Sequence, residues 1–467
     1  MAERLETDYL VVGSGASGMA FVDEIVTHSD ATVAIVDRRH APGGHWVDAY
    51  PFVRLHQPSA FYGVSSTALG GDQVDTAGHN AGFYELAGPD ELCAYYERVM
   101  HRRFLPSGRV RHFPNCHYEG DGRFSSCLTG KSWAADVRMR VVDTTYAEGT
   151  IPATSPPPFE LADGVRCVPV GAITRVDETP DGFVVVGGGK TALDACVWLL
   201  ERGVPAGSIT WIKPREAWWL NRKFQQPHHL LPDLYLGAAL QIEAMAKADS
   251  PAGLLTALED AGVFVRIDPR VTPTMFRAAI VSEREVAMLR TIENVVRMGR
   301  VRRIEPDRIV LDDGDVPTTP NTLHVHCAAQ ALPRRPLRPI FEPGLITIQM
   351  VRWGFSPMQA ALIGFVETAA SDDDEKNRLC PPFSNLDTDT QFVEAFSTSM
   401  TGDRARSEHP AVDRFVKSTR LNPGSGIRSH LDDPKVQRAH GLIKANAAAA
   451  MKNLKRLASR PAPGRSA

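Results

Sequence analysis

The sequence predicts an α/β fold with two Rossmann-like dinucleotide-binding domains, because two glycine-rich motifs each stand between an apolar strand and a helix. The first motif occupies residues 13–18 and follows the apolar run 9–12, and the second occupies residues 187–192 and follows the run 183–186. Glycines at such a junction let the backbone turn tightly and approach a pyrophosphate, at which the helix amides then point. Two motifs in one chain predict two bound dinucleotides, with electrons passing between them.

The first unit contains the landmarks of a dinucleotide-binding βαβ unit. Residues 8–12 predict a short buried strand, residues 16–28 a helix, and residues 31–36 a second strand that ends at Asp37. An acid at that point is expected to accept hydrogen bonds from the adenosine ribose. The alternative is a helix that only packs closely on its strand. The residues predicted to bind the first dinucleotide are Gly13, Gly15, Ser17, Gly18, Asp37 and Arg38.

The second unit differs at the end of its second strand. The strand 208–212 ends in Lys213-Pro214-Arg215 where the first unit has an acid. A basic pair suits a 2′-phosphate and therefore favours NADPH over NADH. The alternative is ordinary solvated charge. The residues predicted to bind the second dinucleotide are Gly187, Gly189, Lys190, Thr191, Ala192, Lys213 and Arg215.

Composition narrows the class of protein. The chain has 467 residues, enough for two or three domains, and a formal net charge of −3, which gives no reason to expect nucleic acid or a membrane as a partner. The N-terminal segment 1–8 does not resemble a signal peptide. The seven cysteines form no C-x-x-C pair, which predicts reduced thiols in a cytoplasmic protein and argues against a disulfide exchanger. His324 and His326 have no evident third ligand, so no metal site is predicted.

A more specific resemblance rests on the segments that follow the two units. Residues 43–46 read Gly-Gly-His-Trp, residues 50–59 begin with Tyr-Pro and contain His56, and residues 211–215 read Trp-Ile-Lys-Pro-Arg. These motifs resemble those of the class B flavin monooxygenases, the family of flavin-containing and Baeyer–Villiger monooxygenases. The resemblance covers most of residues 5–330.

The resemblance implies FAD at the first site and NADPH at the second. It further implies a monooxygenase that forms a C4a-peroxyflavin and oxygenates a small organic substrate with O2, by N-, S- or Baeyer–Villiger oxidation. Gly44, His45 and Trp46 would lie next to the flavin. His56 stands where relatives carry Asp or Asn facing the flavin and the nicotinamide, and is the predicted catalytic residue. The alternative for His56 is a loop histidine bonded to nearby backbone.

The resemblance also implies a discontinuous FAD-binding domain, formed by residues 1–155 and 322–467, with the NADPH-binding domain inserted as residues 156–321. A proline-rich stretch at 152–158 predicts the first linker, and residues 90–103, with Pro89 at the start, predict a helix.

Two other functions stay open. The family motif F-x-G-x-x-x-H is absent, since residues 159–182 contain no histidine. Its absence favours a flavin-dependent dehydrogenase, reductase or oxidase without peroxyflavin chemistry. A flavoprotein-like binding protein without catalysis is the third hypothesis, and the intact glycines at both sites speak against it. The sequence does not predict the oligomeric state.

Overall fold

The computed structural model describes residues 2–329 and 333–459. Its strands are β1 (Glu3–Val12), β2 (Val33–Val36), β3 (Val110–Phe113), β4 (Cys116–Gly120), β5 (Arg123–Ser126), β6 (Ser132–Asp143), β7 (Glu160–Leu161), β8 (Cys167–Pro169), β9 (Phe183–Val186), β10 (Ile209–Ile212), β11 (Ala217–Asn221), β12 (Phe264–Val265), β13 (Met275–Val281), β14 (Val295–Val296), β15 (Val301–Ile304), β16 (Arg308–Leu311), β17 (Gly314–Pro317), β18 (Leu323–His326), β19 (Phe341–Glu342) and β20 (Leu345–Thr347). Its α-helices are α1 (Ala16–His28), α2 (Pro89–Val99), α3 (Lys190–Glu201), α4 (Leu231–Lys247), α5 (Pro251–Asp260), α6 (Glu283–Leu289), α7 (Ser356–Ala369), α8 (Asp373–Leu379), α9 (Asp389–Glu408), α10 (Pro410–Ser418) and α11 (Pro434–Ala458).

The first sheet has the strand order β19-β20-β6-β1-β2-β3, with β4 and β5 as an antiparallel extension of β6. The pairs of β1 with β2 and β6, of β2 with β3 and of β6 with β20 are all parallel. All four residues of β2 are buried, which explains its unbroken apolar sequence. Strands β19 and β20 come from far along the chain, so residues after 340 complete the first sheet.

Helices α1 and α7 pack against each other beside this sheet. The two helices approach closely at Gly364, where a Cβ atom would lie 3.0 Å from the carbonyl oxygen of Phe21. Helix α2 ends earlier than predicted, at Val99, and the chain continues as a π-helical turn over Met100–Phe104. This π turn widens the end of the helix.

The second sheet has the order β14-β10-β9-β18-β8, and its pairs are parallel. The prediction of an α/β fold with two Rossmann-like units is therefore confirmed. The expected start of the returning segment at residue 322 is too early, because β18 pairs with β9 from Leu323 to His326. A strand that short takes its place from its neighbours, and the sequence alone did not show which sheet it joins.

A helical layer completes the molecule beyond the two units. Helices α4, α5, α9 and α11 pack with one another, and β11, β12 and β13 form a small sheet against them. In their shared core the rings of Phe264 and Phe276 stack, and Phe392 meets Phe276 edge-on. None of the helices within residues 2–329 and 333–459 has the length and apolar character needed to cross a membrane.

Candidate active site

The first glycine turn joins β1 to α1 and leaves no room for side chains. Gly13 has a φ of +102°, in the region that favours glycine. A Cβ atom on Gly18 would lie 2.0 Å from the carbonyl oxygen of Gly13. Both positions therefore require glycine, and the turn has the tight form that lets the amides of a helix N-terminus meet a pyrophosphate.

Asp37 lies directly beside this turn. Its Oδ2 accepts hydrogen bonds from the backbone N of Ser14 at 2.6 Å and from the Ser14 hydroxyl at 2.8 Å. Its Oδ1 accepts from the backbone N of Arg39 at 2.8 Å. These bonds fix a carboxylate at the end of β2, where an adenosine ribose would be recognised.

The remaining predicted residues of the first site lie around the same turn. Ser17 is in the first turn of α1 and is half-buried. The exposed guanidinium of Arg38 forms an ion pair with Glu148 at 2.9 Å. Its neighbour Arg39 pairs with Asp48 at 2.8 Å, so the end of β2 carries alternating charges.

Residues 43–46 pack on the glycine turn. A Cβ atom on Gly44, whose φ is +61°, would lie 2.8 Å from the Cα of Gly15, so the two glycine backbones touch. Trp46 is buried and its indole N–H donates to the Tyr62 hydroxyl at 2.9 Å. His45 is exposed, with its ring centre 4.8 Å from that of Trp46. The motif thus packs directly against the first glycine turn.

The second glycine turn joins β9 to α3. Gly187 has a φ of +147°, and a Cβ atom there would lie 3.2 Å from the carbonyl oxygen of Cys327. A Cβ atom on Gly189 would meet no atom within 4 Å, so this side of the turn is open to a ligand. Ala192 is fully buried and lets α3 pack closely, while Thr191 is half-buried.

The segment after Trp46 crosses from the first unit to the second. The Tyr50 hydroxyl donates to Asp194 Oδ2 on α3 at 2.6 Å. The ring of Phe52 stacks on Trp198, also on α3, with ring centres 5.0 Å apart. The segment that contains His56 is therefore attached to the helix that begins at the second glycine turn.

A buried charge cluster lies at this crossing. Lys190, the first residue of α3, forms ion pairs with Asp194 and, at 3.2 Å, with Glu285. Glu285 also pairs with Arg222 at 2.6 Å, and both of these side chains are nearly fully buried. Burial opposes ionisation of Glu285, but the charges of Lys190 and Arg222 outweigh it and hold the pKa of Glu285 well below its usual range.

His56 lies within electrostatic reach of this cluster. Desolvation by the surrounding protein lowers the pKa of His56 to about 3, and the positive charges of Lys190 and Arg222 contribute to the shift. The imidazole is therefore neutral at ordinary pH and presents one donor and one acceptor. Sequence reasoning missed Arg222 and Glu285. The one available signal was the capping-box pattern that starts at Ser282 and ends at Glu285, which marks a helix start but not a site.

Lys213 does not have the environment that the sequence predicted. Its side chain is 1% exposed, and its ammonium lies 2.5 Å from Glu216 Oε2 and 4.3 Å from the centre of the Trp211 ring. Glu216 is itself buried and holds a second cation, Arg297. Lys213 is therefore directed inward with its charge already neutralised, whereas the predicted contact with a 2′-phosphate would need it at the surface.

Arg215 belongs to a different cluster at the same edge of the sheet. Its guanidinium lies 3.0 Å from Asp387, which also pairs with Arg277 at 3.1 Å and Arg334 at 2.6 Å. The carbonyl oxygen of Arg215 lies 2.8 Å from the position of a Cβ atom on Gly188, so this cluster adjoins the glycine turn. Three guanidinium groups share one carboxylate and leave an excess of positive charge.

No group of three or more histidine, cysteine, aspartate or glutamate side chains within the described parts of the chain could hold a metal ion. His324 has polar neighbours of its own: its ring nitrogens lie 3.1 Å from the Thr318 hydroxyl and 3.1 Å from the carbonyl oxygen of Arg166.

Solved structures similar to this chain include three monooxygenases. They are the polycyclic ketone monooxygenase from Thermothelomyces thermophila (TM-score 0.49, 12% identity, 97% of this chain and 90% of that chain), a cyclohexanone-bound cyclohexanone monooxygenase (TM-score 0.48, 13% identity, 96% and 99%), and a flavin-containing monooxygenase from Stenotrophomonas maltophilia (TM-score 0.41, 15% identity, 78% and 97%). The class of enzyme that the motifs resemble is thus represented among these similar structures.

No family model matches the sequence. Two mycobacterial proteins match it over most of its length: Rv2000 of Mycobacterium tuberculosis and Mb2023 of Mycobacterium bovis, both uncharacterized. Each is 44% identical over 424 residues, which cover 90% of this chain and 78% of the relative. Identity at this level and coverage reflects common descent and one fold. The chain therefore belongs to the family that includes Rv2000 and Mb2023.

Proposed function

We propose that this protein is an oxidoreductase that binds FAD at the first glycine turn and NADPH at the second, and that it oxygenates a small organic substrate with O2. The observation that carries the proposal is the pair of parallel units, each with a glycine turn that begins with a glycine at positive φ, connected by the segment that holds His56. Two dinucleotide sites joined in this way suit transfer of electrons from one cofactor to the other.

The residues of the first turn fit FAD. Gly13, Gly15 and Gly18 let the pyrophosphate approach the N-terminus of α1, and Asp37 accepts hydrogen bonds from the ribose. Gly44 and Trp46, which pack beside this turn, would contact the rest of the cofactor. The chemistry that FAD supplies when bound is the ability to accept hydride and to react with O2, which amino-acid side chains lack.

The residues of the second turn fit NADPH. The residues that we assign to its 2′-phosphate differ from the pair that the sequence predicted. The open face at Gly189 and the N-terminus of α3 receive the pyrophosphate. The 2′-phosphate is bound by the three arginines around Asp387, among which Arg215 follows the strand end where this group is recognised. Arginine suits this task because its planar fork donates two hydrogen bonds to a phosphate.

His56 positions groups between the two sites. Since its ring is neutral, it donates one hydrogen bond and accepts another without introducing a charge into the cleft. The buried pairs of Lys190 with Asp194 and of Glu285 with Arg222 hold the surrounding elements in place.

A second candidate is a flavin-dependent reductase, dehydrogenase or oxidase that reduces O2 only to peroxide. The missing F-x-G-x-x-x-H motif favours it. The two candidates share both cofactors and differ in the fate of oxygen.

The test uses the purified protein loaded with FAD. Its flavin absorbance is followed during anaerobic addition of NADPH or NADH, and the reduced protein is then mixed with O2 in the presence of an amine, a sulfide or a ketone. Faster reduction by NADPH, with oxygenated product in proportion to NADPH consumed, supports the proposal. Peroxide in place of product supports the second candidate. A protein that takes up no FAD refutes both.

A further inference from the structure

A surface cavity of about 520 Å³ lies at the end of α2, away from both glycine turns. Three of the residues that line it are arginines, Arg98, Arg102 and Arg103, and none is acidic. Arg103 contacts the middle of α1, eight residues from Gly15, which places the cavity about 12 Å along that helix from the first glycine turn. The cavity is therefore separate from the proposed FAD pyrophosphate site.

The π turn explains why the three arginines meet. In a regular α-helix, residues five apart point in clearly different directions, so Arg98 and Arg103 would not share a surface. Arg98 and Arg102 are four residues apart and share a face of a regular helix. Over Met100–Phe104 the hydrogen bonds span five residues, and the wider turn brings Arg103 to that same side. Such turns are rare in proteins, and those that occur are often found at functional sites.

The charges of the cavity are unevenly neutralised. Arg103 is fixed by Asp23 at 2.6 Å and by the Thr27 hydroxyl at 2.7 Å, both on α1. Arg98 and Arg102 are exposed, and within residues 2–329 and 333–459 neither has a carboxylate within ion-pair distance. Two like charges four residues apart repel each other, which destabilises a helix unless an anion lies between them.

We propose that this cavity binds a small molecule through a phosphate group. Arginine forks bind phosphate by paired hydrogen bonds, and the Thr67 hydroxyl on the rim offers a further donor. Basic side chains at the C-terminal end of a helix also stabilise its dipole without any ligand. That effect accounts for their charge but not for a cavity between them.

The test is isothermal titration calorimetry with inorganic pyrophosphate, at constant ionic strength set by NaCl, of protein loaded with FAD and saturated with NADP⁺ so that both glycine turns are occupied. The test variant is Arg98→Gln with Arg102→Gln. Its matched control is Arg404→Gln with Arg438→Gln, which removes the same charge from exposed positions on α9 and α11. Arg102→Gln alone serves as a milder variant, and thermal unfolding shows whether each variant is folded.

We expect saturable binding of pyrophosphate to the wild type and to the control, and an affinity about tenfold or more weaker in the double variant, because each charge-assisted hydrogen bond contributes about one decade. The single variant should lie between them. Equal affinities in wild type and double variant overturn the proposal, as does the absence of saturable binding to wild type. Citrate that binds more tightly than pyrophosphate and depends on the same arginines overturns the assignment to phosphate. None of these results depends on oxygenation activity, so the proposed function is tested separately.

Discussion

Replacing Gly18 with alanine should abolish tight FAD binding. The new Cβ atom would lie 2.0 Å from the carbonyl oxygen of Gly13, whereas ordinary contact begins at 3.4 Å. The turn and the first residues of α1 must therefore separate by more than 1 Å. Overpacking of this kind costs about 1–3 kcal/mol of stability. A displacement of about 1 Å in the groups that position a ligand should lower the affinity for FAD about a hundredfold.

The assay is titration of the apoprotein with FAD, followed by quenching of flavin fluorescence, together with thermal unfolding. The matched control is Gly441→Ala on α11, where a Cβ atom meets nothing within 4 Å and alanine should stabilise the helix by about 0.5–1 kcal/mol. We expect FAD affinity about a hundredfold lower in Gly18→Ala and unchanged in Gly441→Ala. A folded Gly18→Ala protein that binds FAD within about twofold of wild type would refute the assignment of the cofactor to this turn.

Three further changes test the second site and the cleft. Arg277→Gln combined with Arg334→Gln should weaken NADP⁺ binding by about tenfold or more and leave NAD⁺ binding unchanged, measured by calorimetry, because only NADP⁺ carries the 2′-phosphate. Lys213→Met should lower the free energy of unfolding in urea by about 1–3 kcal/mol, because Glu216 loses one of its two cations, with the preference for NADP⁺ unchanged. His56→Gln should leave the pH dependence of flavin reduction unchanged between about pH 5 and 9, because the pKa of His56 is about 3.

The change of the two arginines has a matched control. Arg270→Gln removes an exposed arginine that pairs with Asp268 outside the Asp387 cluster, and its effect on NADP⁺ binding should be small. Equal losses of NADP⁺ and NAD⁺ affinity in the Arg277 and Arg334 variant would contradict a role in 2′-phosphate recognition. A changed nucleotide preference in Lys213→Met would restore the role that the sequence predicted for this lysine.

The stability of the protein checks the state of His56 independently. An unfolded histidine takes up a proton near its ordinary pKa of about 6.5, whereas the folded protein keeps this ring neutral down to about pH 3. His56 therefore makes the wild type lose stability as the pH falls through that interval. Denaturation of His56→Gln should show a weaker dependence on pH there, and an identical dependence would mean that the ring is protonated in the folded protein.

The two βαβ units could be predicted because their signals are local. An apolar run of four residues, a glycine turn and a helix follow one another within about thirty residues, and glycine is the residue that both turns require. The same local reasoning located Asp37. In a βαβ unit the two strands are parallel neighbours, so an acid at the end of the second strand lies beside the glycine turn that follows the first. It failed for β18, whose four residues fit either sheet.

The direction of a side chain at a strand end cannot be predicted in the same way. Lys213 and Arg215 are two residues apart, but one is buried over Trp211 and the other reaches Asp387. The difference arises from Glu216 and Asp387, and only the first is near in sequence. A basic pair in a sequence therefore predicts positive charge at an edge of the sheet, but not which residue meets the ligand.

The charge cluster at the crossing has a further consequence for Lys190. Its ammonium is held by Asp194 and Glu285 and is largely buried, so binding a pyrophosphate would require it to give up at least one carboxylate. Taking one partner from a buried ion pair is costly. The backbone amides at the start of α3 would not have to give up an ion-pair partner, and the face at Gly189 is already open. The amides are therefore the better donors to the pyrophosphate, while Lys190 connects α3 to α6 and keeps positive charge beside His56. That charge is one reason why the imidazole stays neutral in the cleft between the two sites.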